Sequence, residues 1–162
     1  MTGADADADA DAGRGVGAAA ATAGTDALQS VLAAENAAIF GYGVAGAYLA
    51  GARQGTATAF WNDHRSASDT LAAMLRARGT QPVAADDAYK MPFPVHTSGE
   101  AVALATFLED GVTTAYLGLV AAGDAGLRRF GARAMQDCAV RAAFWRGSSL
   151  AFPGFPGFPP TR

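Results

Sequence analysis

The chain is predicted to be an all-α protein, a bundle of four helices with one long connection between the second and third helices. Apolar residues recur at helical spacing in four segments, and each segment ends near glycine or proline. Alanine and glycine supply much of the 51% hydrophobic content, which favours closely packed helices over a sheet. The segment that separates the second and third helices, Gln81 to His96, contains three prolines and has no helical period.

The composition limits the class of protein, and a length of 162 residues suggests one domain. No apolar run approaches the roughly 20 residues that a membrane-spanning helix needs. The N-terminus has no secretory signal pattern, so the expected location is cytoplasmic. The single cysteine, Cys138, excludes an internal disulfide framework and a multi-cysteine metal site. Four aspartates and one arginine before Thr25 account for the net charge of −3, so we expect no binding to nucleic acid or to an anionic membrane.

The two ends of the chain are expected to lie outside the bundle, which should occupy residues 25–150. Residues 1–24 alternate alanine with aspartate and then become rich in glycine and alanine. They cannot bury enough apolar surface to offset the entropy of ordering, so they are predicted to be a disordered tail. Residues 151–162 form a tail rich in Phe, Pro and Gly, whose phenylalanines are expected to pack on the bundle or on a second subunit.

Capping and stop residues predict where each helix begins and ends. The expected helices run from Thr25 or Asp26 to about Gly51, from Gln54 to Arg78, from Thr97 to about Gly123 and from Asp124 to about Gly147. Thr97 with Glu100 fits the capping-box pattern at the start of the third helix. Three glycines inside the first helix, Gly41, Gly43 and Gly46, indicate the close approach of another helix or a local break.

Glu35 lies at the centre of the apolar face of the first helix, where a leucine would be expected. At about 100° per residue, eight small or apolar residues between Leu28 and Leu49 lie within about 60° of it. Burying an unpaired carboxylate costs several kcal/mol or forces it to take a proton. A metal, a cation or a hydrogen-bond donor is therefore expected to face Glu35. His64 occupies the same kind of position on the second helix.

The two halves of the chain resemble each other at an offset of 74 residues. This offset relates Glu35 to Glu109, Asn36 to Asp110, Tyr42 to Tyr116 and Asp63 to Asp137. Each half is then a helical hairpin with a carboxylate on both of its helices. Two such hairpins joined by a long crossover have the connectivity of ferritin-like four-helix bundles.

Several segments of the chain are distinctive: AAENAAIFGYGVAGAYLA, NDHRSASDTLAAMLRARG, YKMPFPV, LEDGVTTAYLGLVAAG, CAVRAAFWRG and FPGFP. Over about Thr25 to Pro160, they resemble an actinobacterial family of ferritin-like domains of unknown function. The resemblance implies a ferritin-like fold and a shared ancestry with di-iron carboxylate proteins. It does not imply an established activity.

A ferritin-like di-iron site takes one glutamate from each of two helices and a Glu-x-x-His pair from each of the other two. Glu35 and Glu109 match the lone-glutamate positions, but the Glu-x-x-His pair is absent, since Trp61 stands three residues before His64. The only other histidine, His96, lies at the end of the crossover. The candidate metal ligands are Glu35, His64, Glu109 and Asp137, with Tyr42, Asp63, Tyr116 and Arg141 as candidate supporting residues.

The same residues can also be explained without a metal. In that interpretation Arg141 or a protonated His64 neutralises Glu35, and Asp137 forms an ion pair with Arg133 or Arg141 at helical spacing. Cys138 is then a small buried apolar group.

The leading hypothesis is a non-enzymatic, ferritin-like homodimer with a degenerate, metal-free carboxylate and histidine core and no cofactor. The alternative is a mononuclear or dinuclear iron or manganese oxidoreductase, or a metal-binding protein. The histidine count favours the first, and the positions of Glu35 and His64 on apolar faces favour the second. A third hypothesis is a small-molecule pocket between helices, entered beside Tyr42.

Overall fold

The computed structural model describes residues 4–122 and 124–155, with side chains from residue 17 onward. These residues contain four helices and no strand, which confirms the prediction of an all-helical, four-helix chain. The helices are α1 (Ala4–Ala47), α2 (Gly51–Ala77), α3 (Ser98–Ala121) and α4 (Ala125–Arg146). None of the helices in this part of the chain is long and apolar enough to cross a bilayer.

The first helix begins much earlier than the predicted start at Thr25 or Asp26. Its backbone is helical from Ala4, so it includes most of the segment that we expected to be disordered. This segment is rich in alanine, the best helix former, and contains no proline that would stop a helix. Thr25 does not cap the helix, because its hydroxyl donates to the carbonyl of Ala21 at 3.0 Å within the same helix.

Helices α1 and α2 meet at a tight corner that ends the first helix before Gly51, earlier than predicted. Gly51 has a φ of +57°, a conformation that favours glycine, and α2 begins there rather than at Gln54. The capping box of Thr97 and Glu100 is confirmed at the start of α3. Asp124 caps α4 as predicted, accepting hydrogen bonds from the backbone amides of the first turn.

The helices pack in a chain of neighbours. Helix α1 packs against α2 and α3, and α3 packs against α4, whereas the backbones of α2 and α4 lie further apart. Residues 78–97 connect α2 to α3 without a helix, and they contribute buried Val95 to the core. Gln29 of α1 holds the start of this segment, since its side chain donates to the carbonyl of Gln81 and accepts from the amide of Val83.

The described part of the C-terminal tail lies on α3. A Cβ atom added at Gly154 would be 3.1 Å from Cγ2 of Thr113, which is 1% exposed. The rings of Phe152 and Phe155 contact each other and remain half exposed. Residues 156–162, which belong to the predicted tail, lie outside the described residues.

Candidate functional site

Three ionisable side chains from three helices meet in the middle of the apolar core. Glu35 comes from α1, His64 from α2 and Glu109 from α3, and each is at most 1% exposed. Each one lies on the inner face of its helix among leucine, valine and alanine side chains, so the packing of the helices brings the three groups together. The structure thus unites three of the four predicted metal-ligand candidates.

The imidazole of His64 bridges the two carboxylates. Its Nδ1 lies 2.6 Å from Oε2 of Glu35, and its Nε2 lies 3.1 Å from Oε1 of Glu109. Burial lowers the pKa of His64, but hydrogen bonds and charges from the two carboxylates outweigh burial and raise its pKa to about 9. At neutral pH the ring is therefore an imidazolium that donates from both nitrogens.

Two tyrosines bind the carboxylates in a reciprocal pattern. Tyr42 of the first half donates to Oε1 of Glu109 at 2.6 Å, and Tyr116 of the second half donates to Oε1 of Glu35 at 2.7 Å. Burial and the adjacent carboxylates raise the pKa of both phenols above the usual value for tyrosine, so both remain protonated donors. Trp145 extends the network by donating from Nε1 to the hydroxyl of Tyr42 at 2.8 Å.

Arg141 of α4 supplies a second cation. Its Nε donates to Oε1 of Glu109 at 3.0 Å, and its Nη2 lies 3.1 Å from Sγ of Cys138. The sequence suggested this arginine as a partner of Glu35, but it pairs with Glu109. We call Glu35, His64, Glu109 and Arg141 the central cluster. Its two carboxylates face two cations, so the cluster is close to neutral.

One oxygen of the central cluster has no partner. Oε2 of Glu109 is buried and makes no hydrogen bond with the described residues, whereas Oε1 accepts from Tyr42, His64 and Arg141. An unsatisfied buried oxygen is unusual, because it loses its hydration without a replacement.

The two aspartates that we predicted for the site lie outside the central cluster. Asp63 is 60% exposed, and its Oδ2 lies 3.8 Å from Nη1 of Arg141. Asp137 is exposed, and among the described side chains it forms no ion pair with Arg133 or Arg141. Cys138 and Trp145 were not predicted to take part. The sequence does contain a signal for Cys138, because the offset of 74 residues relates this cysteine to His64.

The central cluster, as it is arranged, does not fit a metal ion. Both ring nitrogens of His64 carry a proton and donate to the carboxylates, and Oε1 of Glu109 accepts three hydrogen bonds. A metal would need a lone pair on His64 and would lie close to the guanidinium of Arg141. Within residues 17–122 and 124–155, no group of three or more His, Cys, Asp or Glu side chains has an arrangement that could hold a metal ion.

A groove of about 690 Å³ leads from solvent to the central cluster between α2 and α4. Glu35, Tyr116, Cys138 and Arg141 lie at its inner end. Its walls and rim are formed by Phe60, Asp63, Ser66, Ala67, Thr70, Phe130, Arg133, Ala134, Asp137 and Val140. We call this feature the α2–α4 groove.

A smaller groove of about 560 Å³ lies beside Tyr42, where the sequence suggested a pocket. Gly43, Gly46, Gly51 and Gly55 contribute to its lining. A Cβ atom added at any of these four glycines would have no neighbour within 4 Å, so their lack of side chains leaves open space.

Comparison with known proteins places the chain in a family. Residues 27–157 match the family described as Domain of unknown function (DUF4439). The chain is similar to a conserved hypothetical protein, rv2844, from Mycobacterium tuberculosis, whose crystal structure aligns with 31% identity and a TM-score of 0.75, over 78% of this chain and 96% of that chain. None of the curated proteins matches. The chain therefore belongs to the DUF4439 family.

Proposed function

We propose that this protein is a metal-free, non-enzymatic member of the ferritin-like group, and that its central cluster fixes how the four helices pack. One observation carries the proposal: Arg141 and the imidazolium of His64 neutralise Glu35 and Glu109, the two glutamates whose sequence positions match metal ligands of di-iron proteins. A buried ion cluster adds little net stability compared with apolar packing, but it disfavours any arrangement that leaves a charge unpaired.

The helix arrangement supports a ferritin-like architecture. Helices α1 and α2 are joined by a tight corner, α3 and α4 are separated by only a few residues, and residues 78–97 are long enough to act as the crossover. The reciprocal bonds from Tyr42 to Glu109 and from Tyr116 to Glu35 are those expected of two related hairpins facing each other.

A homodimer in the cytoplasm belongs to the same proposal. Phe107 and Phe144 are more than half exposed, and a second subunit would cover such apolar side chains. Cys138 is a free, buried thiol, which suits a reducing compartment.

A second candidate function, binding of iron or manganese, is favoured by one observation. Oε2 of Glu109 is buried without a partner, and a cation would satisfy it. Binding would require His64 to lose a proton and Arg141 to move away from Glu109.

Metal content and stability together distinguish the two candidates. Protein made without a histidine tag would be dialysed against iron or manganese, and its metal measured by elemental mass spectrometry. We expect far less than one equivalent per chain in folded protein. We also expect Glu35→Gln to destabilise the metal-free protein, because the amide cannot accept from both Tyr116 and His64. About one or two equivalents, lost in Glu35→Gln, would overturn the proposal.

A further inference from the structure

The geometry points to a binding site for a small amphipathic carboxylate in the α2–α4 groove. The groove has a volume of about 690 Å³, within the range of small-molecule sites, and it combines apolar walls with a few charged groups. The ligand's carboxylate would bind Arg141 at the inner end, and its apolar body would lie along the walls.

Arg141 lines the inner end of the groove and has hydrogen-bonding capacity that its partners do not fill. Its Nε is used by Glu109, and among the described residues Nη2 has the sulfur of Cys138 as its one partner and Nη1 has Asp63 at 3.8 Å. The two Nη nitrogens carry four N–H donors, and neither partner is a strong, close acceptor. A guanidinium binds a carboxylate through two parallel hydrogen bonds, so this unsatisfied edge suits a carboxylate better than a neutral group.

The wall of the groove suits an apolar body. Phe60 and Phe130 are half buried, Ala67 and Ala134 add small apolar surface, and Val140 is 69% exposed at the rim. An exposed valine beside two half-buried phenylalanines leaves apolar area that a hydrocarbon chain or a ring would cover. Arg133, which makes no ion pair with any described side chain, adds a second positive charge to the lining.

The acidic residues of the groove make the site selective. Asp63 is exposed and only loosely paired with Arg141, so an incoming carboxylate must displace it. Asp137 adds a second negative charge to the lining. These two charges disfavour every anion, and only a carboxylate with an apolar group offsets that repulsion by contacts with the apolar wall, which a small inorganic anion cannot make.

The test compares octanoate with 1-octanol, which has a chain of the same length but no charge, by isothermal titration calorimetry on the full chain. We expect octanoate to bind about tenfold more tightly than 1-octanol, since only the carboxylate can engage Arg141. Chemical shifts should change on both α2 and α4. Equal affinity for the two compounds, or no binding of octanoate, would overturn the assignment.

Four variants locate the site without removing Arg141 from the central cluster. Asp63→Asn should tighten octanoate binding several-fold by removing the competing carboxylate, and Arg133→Gln should weaken it several-fold. Ala134→Trp should block binding by filling the groove. Arg129→Gln, an exposed arginine of the same helix that does not line the groove, should leave the affinity unchanged. If Asp63→Asn and Arg133→Gln behave like Arg129→Gln, octanoate does not bind in this groove.

Discussion

The two halves of the molecule share their carboxylates and tyrosines but differ in their cations. Glu35 and Glu109 are equivalent under the offset of 74 residues, and so are Tyr42 and Tyr116. Each tyrosine donates to the glutamate of the opposite half, at 2.7 Å or less. These hydrogen bonds therefore connect α1 to α3 in both directions.

The cations break this symmetry. His64 of α2 corresponds to Cys138 of α4, and Arg141 of α4 corresponds to Ala67 of α2. The first half thus supplies an imidazolium and the second half a guanidinium, one helical turn apart in the repeat. Each half thus holds one carboxylate and one cation, and His64 links the halves because it bonds both Glu35 and Glu109. Ala67, the α2 residue equivalent to Arg141, also lines the α2–α4 groove, and its small side chain leaves space there.

Removing Arg141 should cause the largest loss in the free energy of unfolding. Arg141→Met leaves Glu109 as a buried carboxylate with too little positive charge, and we expect a loss of about 3–5 kcal/mol in the free energy of unfolding. Urea unfolding of metal-free protein measures it. Arg129→Met is the matched control on the exposed side of α4 and should change little.

A second substitution separates lost charge from lost packing at Arg141. Glu109→Gln in the Arg141→Met background removes the unpaired charge, so it should recover a large part of the loss. A double variant that is as unstable as the sum of the two single variants would show that the pair is not coupled.

The two tyrosines should differ in their effect although they are equivalent in sequence. Tyr42→Phe removes the bond to Glu109 and also leaves Nε1 of Trp145 without its acceptor, so we expect a loss of about 3 kcal/mol in unfolding free energy. Tyr116→Phe removes only the bond to Glu35 and should cost about 2 kcal/mol. Urea unfolding of both variants measures the difference. Trp145→Phe in the Tyr42→Phe background should reduce the difference between the two variants. Equal losses in the two tyrosine variants would show that the bond from Trp145 to Tyr42 contributes no stability.

The imidazolium gives the first half a dependence on pH. The pKa of His64 is raised to about 9 in the folded protein, above the value of about 6.5 in an unfolded chain. A raised pKa stabilises the fold below about pH 6.5, and this stability is lost as the pH rises towards 9. Between about pH 6.5 and 8.5 the expected loss is on the order of 2 kcal/mol. Burial also raises the pKa of Cys138, but that thiol contributes only above about pH 8.5.

Urea unfolding across this pH window checks the prediction with two histidine variants. His64→Gln should remove most of the pH dependence. His96→Gln, which changes the exposed histidine, should preserve it. A wild-type protein whose stability stays constant between pH 6.5 and 8.5 would contradict a protonated His64.

Helical periodicity was sufficient to find Glu35 and His64, because a polar residue at the centre of an apolar face must be buried when the face is buried. The repeat supplied Glu109 and the two tyrosines. Periodicity could not decide which carboxylate Arg141 reaches, since that depends on how far α4 lies from α1 and α3. The exposed position of Asp137 depends on the same spacing. The early start of α1 follows from the helix propensity of alanine, which a prediction of disorder from composition does not include.

Substitutions at the glycines of α1 should have the smallest effects on the free energy of unfolding. A Cβ atom at Gly41 would lie 2.5 Å from Cδ1 of Leu108, whereas one at Gly43 would meet nothing within 4 Å. The predicted close approach of another helix therefore holds at Gly41 and fails at Gly43. In the repeat, Gly41 corresponds to Ala115 and Leu108 to Ala34, so one half supplies the large side chain and the other the space for it.

Gly41→Ala should lower the free energy of unfolding by about 1–2 kcal/mol, because Leu108 must move. Gly43→Ala should raise it by about 0.5–1 kcal/mol, because alanine favours the helix and fills only open space. Thermal and urea unfolding of the two variants would give opposite signs. Leu108→Ala in the Gly41→Ala background should remove the clash, so Gly41→Ala should cost less there than in the wild-type protein. If Gly43→Ala also destabilises the protein, the open space beside α1 is needed by another part of the chain or by a partner.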